Sequence, residues 1–540
     1  MTDLRIKKKR SVGIGFSKFS LMLILAVVVV LPLVRMMTVL QFVDFEDVFY
    51  SPHFKSALIN SIVYTLASTI ISVVVAYLLA LCTVRVDIRF KRVFSILLTL
   101  PMLIPSISHG TGMIVLFGSN GIVSRLFGLT AVSNIYGAPG IILGSVMYAF
   151  PVAYIMLADV LRYEDMAVYE VADILGISRT RAFLKISLPY MKKPLLTAFF
   201  STFSMIVTDY GVPLRIGGQE KTLSSLMYES AIGRSELGQG AVFGLVLLIP
   251  ALLSFGVDFF SKEKASSSFV RSSGQSHGSR QLSLRILAYI FCGLMVVFSL
   301  LPIIAFVLLS IVENYPNRMN LTFENYAFIL NGDGLQYLMN SLFIGLITAL
   351  IGTAIGFVCA YLTSRAKSPA SRILHLLSIT SMAIPGMVLG ISYLTTFAGS
   401  ALYGTVMILV MVNMAHFLSS PYLMMYNSFG KMNENLEAVG STLGIGRLRM
   451  LGRIFLPQSF PTLAEMFSYM FVNSMMTISA VAFLATSDTR PISLMIKELE
   501  RSPKVGRIAV VSLLILAVNI LIKIIVERVK SLAARKRLEQ

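Results

Sequence analysis

Two stretches of this chain place charged residues around a glycine and a proline in the same spacing. The chemistry such a pattern suits is recognition of a soluble partner, with no bond made or broken. From Tyr169 to Pro189 the chain reads YEVADILGISRTRAFLKISLP, with Glu170, Ala172, Gly176, Ile186, Leu188 and Pro189 in the order E-x-A-x3-G-x9-I-x-L-P. From Leu436 to Pro457 it reads LEAVGSTLGIGRLRMLGRIFLP, and Gly444, Ile454, Leu456 and Pro457 repeat that spacing. Here the glutamate slot holds Ala438 and Glu437 stands one residue early, so the two copies are expected to dock asymmetrically. Gly176 permits a tight reversal that a β-carbon would hinder. Ser178 is placed to cap a following helix, and Pro189 marks the boundary where the next hydrophobic span begins.

Residues that could do covalent chemistry do not assemble into a site. His53, His109, His277, His375 and His416 are scattered, and there is no H-E-x-x-H. Cys82, Cys292 and Cys359 fall in or at the ends of apolar spans without metal-ligand spacing and read as buried thiols. A phosphate-binding G-x4-G-K-[ST] is missing; the nearest text, GGQEKT at 217–222, has the wrong spacing. No catalytic residue, metal site or resident cofactor is expected.

The elements that must position the two loops are hydrophobic helices. The 540 residues are 56% hydrophobic and 14% charged, with a mean hydropathy of +0.79. A soluble domain carries about 25% charged residues, so the class is an all-α polytopic membrane protein. A net charge of +19 would suit nucleic acid, but the basic residues sit in short runs beside apolar spans, which is an orientation signal. Windows of about 20 apolar residues fall near 19–40, 56–82, 93–117, 136–161, 191–210 and 238–260, then near 283–311, 336–363, 373–398, 402–427, 458–485 and 506–526. Twelve spans are predicted. The basic run Arg5–Arg10 before the first lacks a small-x-small cleavage site, so that span is read as uncleaved.

Basic residues mark one side as cytoplasmic: the N-terminus, Arg85/Arg89/Lys91/Arg92, both loops, Arg365/Lys367/Arg372 and the C-terminal tail. Both termini are therefore placed in the cytoplasm. One outer segment, 486–505, dissents with Arg490, Lys497, Arg501 and Lys504. The halves read as a parallel repeat. Asn60-Ser61, Arg85 and Pro105 recur 280 residues later as Asn340-Ser341, Arg365 and Pro385, whereas Gly176 and Gly444 differ by 268. The extra residues of the first half are assigned to 118–135. The division is a basic N-terminus (1–18), a first half (19–261), a Ser-rich linker (262–282), a second half (283–527) and a basic tail (528–540).

The paired loops resemble the cytoplasmic "EAA" loop of binding-protein-dependent ABC importer permeases, and the resemblance covers nearly the whole chain as a fused two-half permease. It implies that Glu170, Ala172, Gly176, Ile186, Leu188, Pro189, Glu437, Gly444, Ile454, Leu456 and Pro457 couple to two copies of an ABC ATPase. ATP and Mg would be carried by those ATPases and not by this chain. It further implies an extracytoplasmic solute-binding protein, a small-molecule substrate, surrounding lipid and the bacterial inner membrane. Intramembrane polar groups mark a pathway: Asp209 and Tyr210 beside the helix breakers Gly211 and Pro213, Ser108 and His109 after Pro101 and Pro105, and Asn473 and Ser474 in the partner span. The plainer alternative for each is hydrogen bonding between helices. The stretch TDYGVPLRIGG with 238–255 resembles permeases for 2-aminoethylphosphonate, whose phosphonate would meet Arg215 or Lys221. Ferric iron or thiamine import is the alternative. An ion-coupled transporter or a membrane enzyme fits less well, because intramembrane acids are few.

Overall fold

The computed structural model describes residues 15–128, 135–164, 167–263, 281–500, 502 and 504–538. Most of the expected linker and the N-terminal basic run lie outside the described residues. Each of the twelve apolar stretches contains helix, but fewer than the expected twelve qualify as spans, because several are bent at a break or end early. Among the described residues, seven helices are long and apolar enough to span a membrane: Gly15–Met37, Pro52–Arg85, Ala138–Arg162, Leu237–Val257, Leu282–Ser310, Gly334–Ser364 and Val505–Arg535. Three bent pairs raise the number to ten at most. The other two stretches form the helices Leu188–Val207 and Phe460–Met476. The first opens on a lysine-bearing turn, and the second stops at Met476, well before the apolar run ends.

The sharpest bends sit at repeated prolines. Lys91–Leu103 meets Ser106–Leu126 at 102°, and Pro369–Ala383 meets Gly386–Phe397 at 108°. Proline lacks a donor and pushes the residue before it out of the helical region. Ile104 and Ile384 accordingly are extended, directly before Pro105 and Pro385. Carbonyls released at the first bend are recaptured: His109 Nε2 donates to Pro101 O at 3.1 Å and Asn519 Nδ2 to Leu103 O at 2.9 Å.

Helix faces are sorted as a bilayer requires. In Pro52–Arg85 the buried positions include Ala57, Ser61, Thr65, Ser68, Ser72, Ala76 and Ala80, while Ile59, Ile62, Val63, Leu66 and Ile70 are exposed. Small residues inward allow close helix approach, and large aliphatics outward suit lipid. Gly334–Ser364 repeats the plan with Gly345, Thr348, Ala349, Gly352 and Gly356 inward.

The halves exchange their first helices. Gly15–Met37 packs on Gly386–Phe397 of the second half, where Tyr393 Oη donates to Val28 O at 2.7 Å. Lys18 Nζ donates to Ser368 Oγ and Ser371 Oγ, both at 2.8 Å, and to Ala366 O. Reciprocally, Leu282–Ser310 packs on Ser106–Phe117 of the first half, where a β-carbon on Gly112 would stand 2.6 Å from Pro302 Cβ.

Equivalent helices run 280 apart through Phe117 and Phe397, and 268 apart from Ala138 and Val406 onward. The offset thus changes between 117 and 138. Three basic residues of 486–505 are paired in place, Arg490 with Glu498, Lys497 with Glu500 at 2.6 Å and Lys504 with Glu324 at 2.8 Å, while Arg501 lies outside the described residues. Neutralised in this way, they carry little weight in a charge bias.

Candidate coupling loops

Each loop is a short helix, a glycine reversal, a single further turn and a five-residue π-helical segment that runs into the next span. The first comprises Ala167–Ile174, Arg179–Ala182 and Phe183–Ser187; the second comprises Leu436–Thr442, Arg447–Met450 and Leu451–Phe455. The reversal has a defined hydrogen-bond pattern. Gly176 lies at φ +66°; its N–H donates to Asp173 O at 3.1 Å, and Ile177 N–H donates to Ala172 O at 2.9 Å. Gly444 lies at φ +68°, with Gly444 N–H to Ser441 O at 3.3 Å and Ile445 N–H to Gly440 O at 2.8 Å. Both are Schellman C-caps, in which a left-handed residue lets the chain satisfy the last helical carbonyls.

The small residue four places before each glycine has its own reason. Ala172 is buried, and a β-carbon on its equivalent Gly440 would collide with the Met450 sulfur and lie 2.8 Å from its Cε. Met450 in turn is equivalent to the buried Ala182. At these two equivalent positions the first half carries Ala and Ala, and the second carries Gly and Met. Pro189 and Pro457 occupy the second position of the helices that follow, directly after the π-helical segments. Ile186 and Ile454 are half-buried beneath these turns, and Leu188 and Leu456 are exposed.

Outward, both loops present apolar residues. Val171, Ile174 and Leu175 are exposed on the first, and Val439 and Leu443 on the second, with Leu175 at 69% and Leu443 at 68%. Glu170 is exposed beside them, but Glu437 faces inward. Its carboxylate takes Nε and Nη2 of Arg365 at 2.7 and 2.6 Å. Glu437 is equivalent to Tyr169 and not to Glu170. Burial, with the hydrogen bond to Glu164, raises the pKa of the Tyr169 phenol, so it remains a donor.

The polar residues assigned to a pathway are placed as follows. Asp209 caps the short helix Gly211–Ile216, accepting from Gly211 N–H at 3.3 Å and Val212 N–H at 3.1 Å. Ser108 Oγ meets Ser512 Oγ of the other half at 2.9 Å, and Asn473 Nδ2 donates to Tyr469 O at 2.8 Å. Tyr210 stacks on Tyr228 at 4.8 Å between ring centroids. Polar atoms left buried and unmatched include Tyr210 Oη, His109 Nδ1 and Ser474 Oγ. The close approach of Gly211 to Ser106 and Ile107 brings the Asp209 turn against the Ser108–His109 helix; no hydrogen bond joins Asn473 or Ser474 to that group. The cations proposed for a phosphonate already face carboxylates: Arg215 lies 3.8 Å from Glu500, and Lys221 lies 2.5 Å from Glu229.

Sequence reasoning noted the repeated Asn-Ser pair but not the backbone segments it holds. Asn60 Nδ2 donates to Lys221 O at 3.1 Å, while Asn340 Nδ2 donates to Asp488 O at 2.8 Å and Arg490 O at 3.1 Å. Ser61 Oγ accepts from Leu223 N–H and Ser341 Oγ from Ile492 N–H, both at 2.7 Å. The recurrence at an offset of 280 was the available signal.

Comparison with known proteins agrees with this two-fold architecture. The profile of the binding-protein-dependent transport system inner membrane component family matches residues 72–262 and again 352–532. The putative ferric transport system permease protein FbpB 1 of Haemophilus influenzae is 26% identical over 437 residues, 78% of this chain and 69% of that protein. The ferric transport system permease protein FbpB of Actinobacillus pleuropneumoniae is also 26% identical, over 78% of this chain and 63% of its own length. The thiamine transport system permease protein ThiP of Haemophilus influenzae is 23% identical over 39% of this chain and 40% of its own. Among solved structures, a bacterial alginate ABC transporter in complex with its pentasaccharide-bound periplasmic protein covers 44% of this chain and 87% of its own, at 14% identity and a TM-score of 0.35, too loose a likeness to carry an argument. With its profile matched twice, over well over half the residues, this multi-pass chain belongs to the family of inner membrane components of binding-protein-dependent transport systems.

Proposed function

We propose that this chain is the fused permease of an ATP-driven importer that moves ferric iron across a bacterial inner membrane by alternating access. The observation that carries the transport mechanism is the pair of C-capped loops, each with an exposed apolar face beside a membrane half. Two such faces suit two ATPase subunits, with both termini on their side of the membrane. Iron is preferred because the relatives aligned over 78% of this chain are named for ferric transport. Thiamine is the second reading, on the shorter match to a thiamine permease. The 2-aminoethylphosphonate reading is withdrawn: Arg215 and Lys221 are already opposite carboxylates, and none of the relatives described carries that substrate in its name. Iron would enter from the binding protein as cargo and pass between the halves near Tyr210, Ser108 and Ser474.

The test is reconstitution in liposomes with the co-purified ATPase and candidate binding proteins, comparing ferric iron, thiamine and 2-aminoethylphosphonate. Stimulation of ATP hydrolysis and uptake by ferric iron is expected. Leu175→Asp with Leu443→Asp should abolish ATPase co-purification while leaving the permease folded. Uptake that follows an ion gradient without any ATPase would overturn the importer reading.

A further inference from the structure

The helix that precedes each loop by two spans ends on an arginine, and that arginine reaches back to the first turn of the loop. Pro52–Arg85 ends at Arg85 and Gly334–Ser364 is capped by Arg365. In the second half Arg365 grips both oxygens of Glu437, and its Nη1 and Nη2 also donate to Met432 O at 3.3 Å and Asn433 O at 2.6 Å. The side chains of this pair are only 6% and 18% exposed. In the first half the same place is filled by different chemistry. Arg85 Nη2 donates to Tyr169 Oη at 3.0 Å, and its guanidinium lies 4.3 Å from that ring's centroid. Arg85 also pairs with Glu164, whose Oε1 accepts the Tyr169 hydroxyl at 2.5 Å. Tyr169 and Glu437 are equivalent positions, whereas the equivalent of Glu164 is Met432, which offers Arg365 its carbonyl.

The far end of each of these helices carries the Asn-Ser pair that holds the outer segment of its half. Arg85 and Asn60, like Arg365 and Asn340, are 25 residues apart, about 37 Å along a helix rising 1.5 Å per residue. One continuous helix therefore connects a loop at one membrane face with a backbone segment at the other, and it does so twice.

We propose that Arg85 and Arg365 are positioning residues that lock each coupling loop to the second span of its own half. Displacement of a docked loop is thereby delivered along that helix to the outer segments at 221–223 and 488–492. Glu437 belongs to this internal lock and is not a docking contact. The inference rests on the coupling-loop reading above. An eight-residue helix held only by its flanking turns would pivot about Gly176 and the π-helical segment; the arginine supplies the third point of attachment.

Two experiments separate the lock from the importer reading. Hydrogen exchange on the purified full-length permease alone reads the lock without any ATPase. Arg85→Ala should raise exchange in peptides covering 167–176 and leave 436–444 unchanged, and Arg365→Ala should do the converse, each by about tenfold or more, as loss of a charge-assisted hydrogen bond implies. Unchanged exchange in both would overturn the proposal. In the reconstituted complex, Arg365→Ala should keep ATPase co-purification and basal hydrolysis but raise the ATP used per solute moved, with partial recovery in Arg365→Lys. Wild-type stoichiometry in Arg365→Ala would overturn it. So would loss of ATPase co-purification in Glu437→Gln, since that would make Glu437 a docking residue. If Arg365→Ala does not yield protein, Glu437→Gln serves in both assays, because it preserves shape while removing the charge. Failure of the wild-type permease to bind an ATPase would refute the importer reading and leave the exchange result to decide the lock.

Discussion

Replacing Gly176 or Gly444 by alanine isolates the backbone term of the coupling loops. Both residues sit at positive φ, +66° and +68°, and a β-carbon added at either would meet nothing within 4 Å. No steric penalty from neighbours enters, so the cost is that of holding an L-residue in the left-handed region, about 1–2 kcal/mol. Part of this is offset because alanine has less freedom than glycine when the loop opens, about 0.4–1 kcal/mol. The net is about 1 kcal/mol, or roughly a fivefold rise in the opening equilibrium of the cap. The reporters are the N–H groups of Gly176 and Ile177, and of Gly444 and Ile445, which close the two caps. Hydrogen exchange of peptides spanning 167–187 and 436–455 would measure the change. Each substitution should act only on its own loop. Asparagine, which tolerates the left-handed region better, should give a smaller effect than alanine. Equal exchange in wild type, alanine and asparagine variants would refute the reasoning, as would a rise in both loops from one substitution.

Gly440→Ala should loosen the second loop for a different reason, because its β-carbon meets Met450 while the backbone is ordinary helix; a second change, Met450→Ala, should restore it by removing the side chain that is met, leaving the residues found at the equivalent positions Ala172 and Ala182. The same exchange assay reads both. Ser61→Ala and Ser341→Ala each strand a buried backbone donor, that of Leu223 or Ile492. Each should cost about 1–3 kcal/mol locally and lower the apparent thermal midpoint of the detergent-solubilised protein, while Asn60→Ala and Asn340→Ala should act less because backbone carbonyls tolerate losing one of their partners.

What could be read from sequence was what depends on neighbours along the chain. Apolar windows marked the helices, and glycine in a fixed register marked a reversal that requires positive φ. The repeat was legible because two copies of one plan constrain the same positions, as Asn60-Ser61 and Asn340-Ser341 do. Tertiary structure decided which side chains meet. Glu437 read as a displaced docking acid because only its distance from Gly444 was visible; in space it is within reach of Arg365, 72 residues earlier. Asp209 read as an intramembrane acid beside helix breakers; that the turn at Gly211 brings two backbone donors to it was visible only in the structure. The basic segment 486–505 opposed the orientation rule until its carboxylate partners, one of them as distant as Glu324, were in place. The exchange of first helices between halves leaves no local signature at all, since a lipid-facing helix packs equally well by composition against either half. Sequence determined the helices, the loops and their two-fold plan, because backbone preference and hydropathy are local. The structure decided the lock, the capping and the exchange, because each is a contact between residues that the chain alone does not bring together.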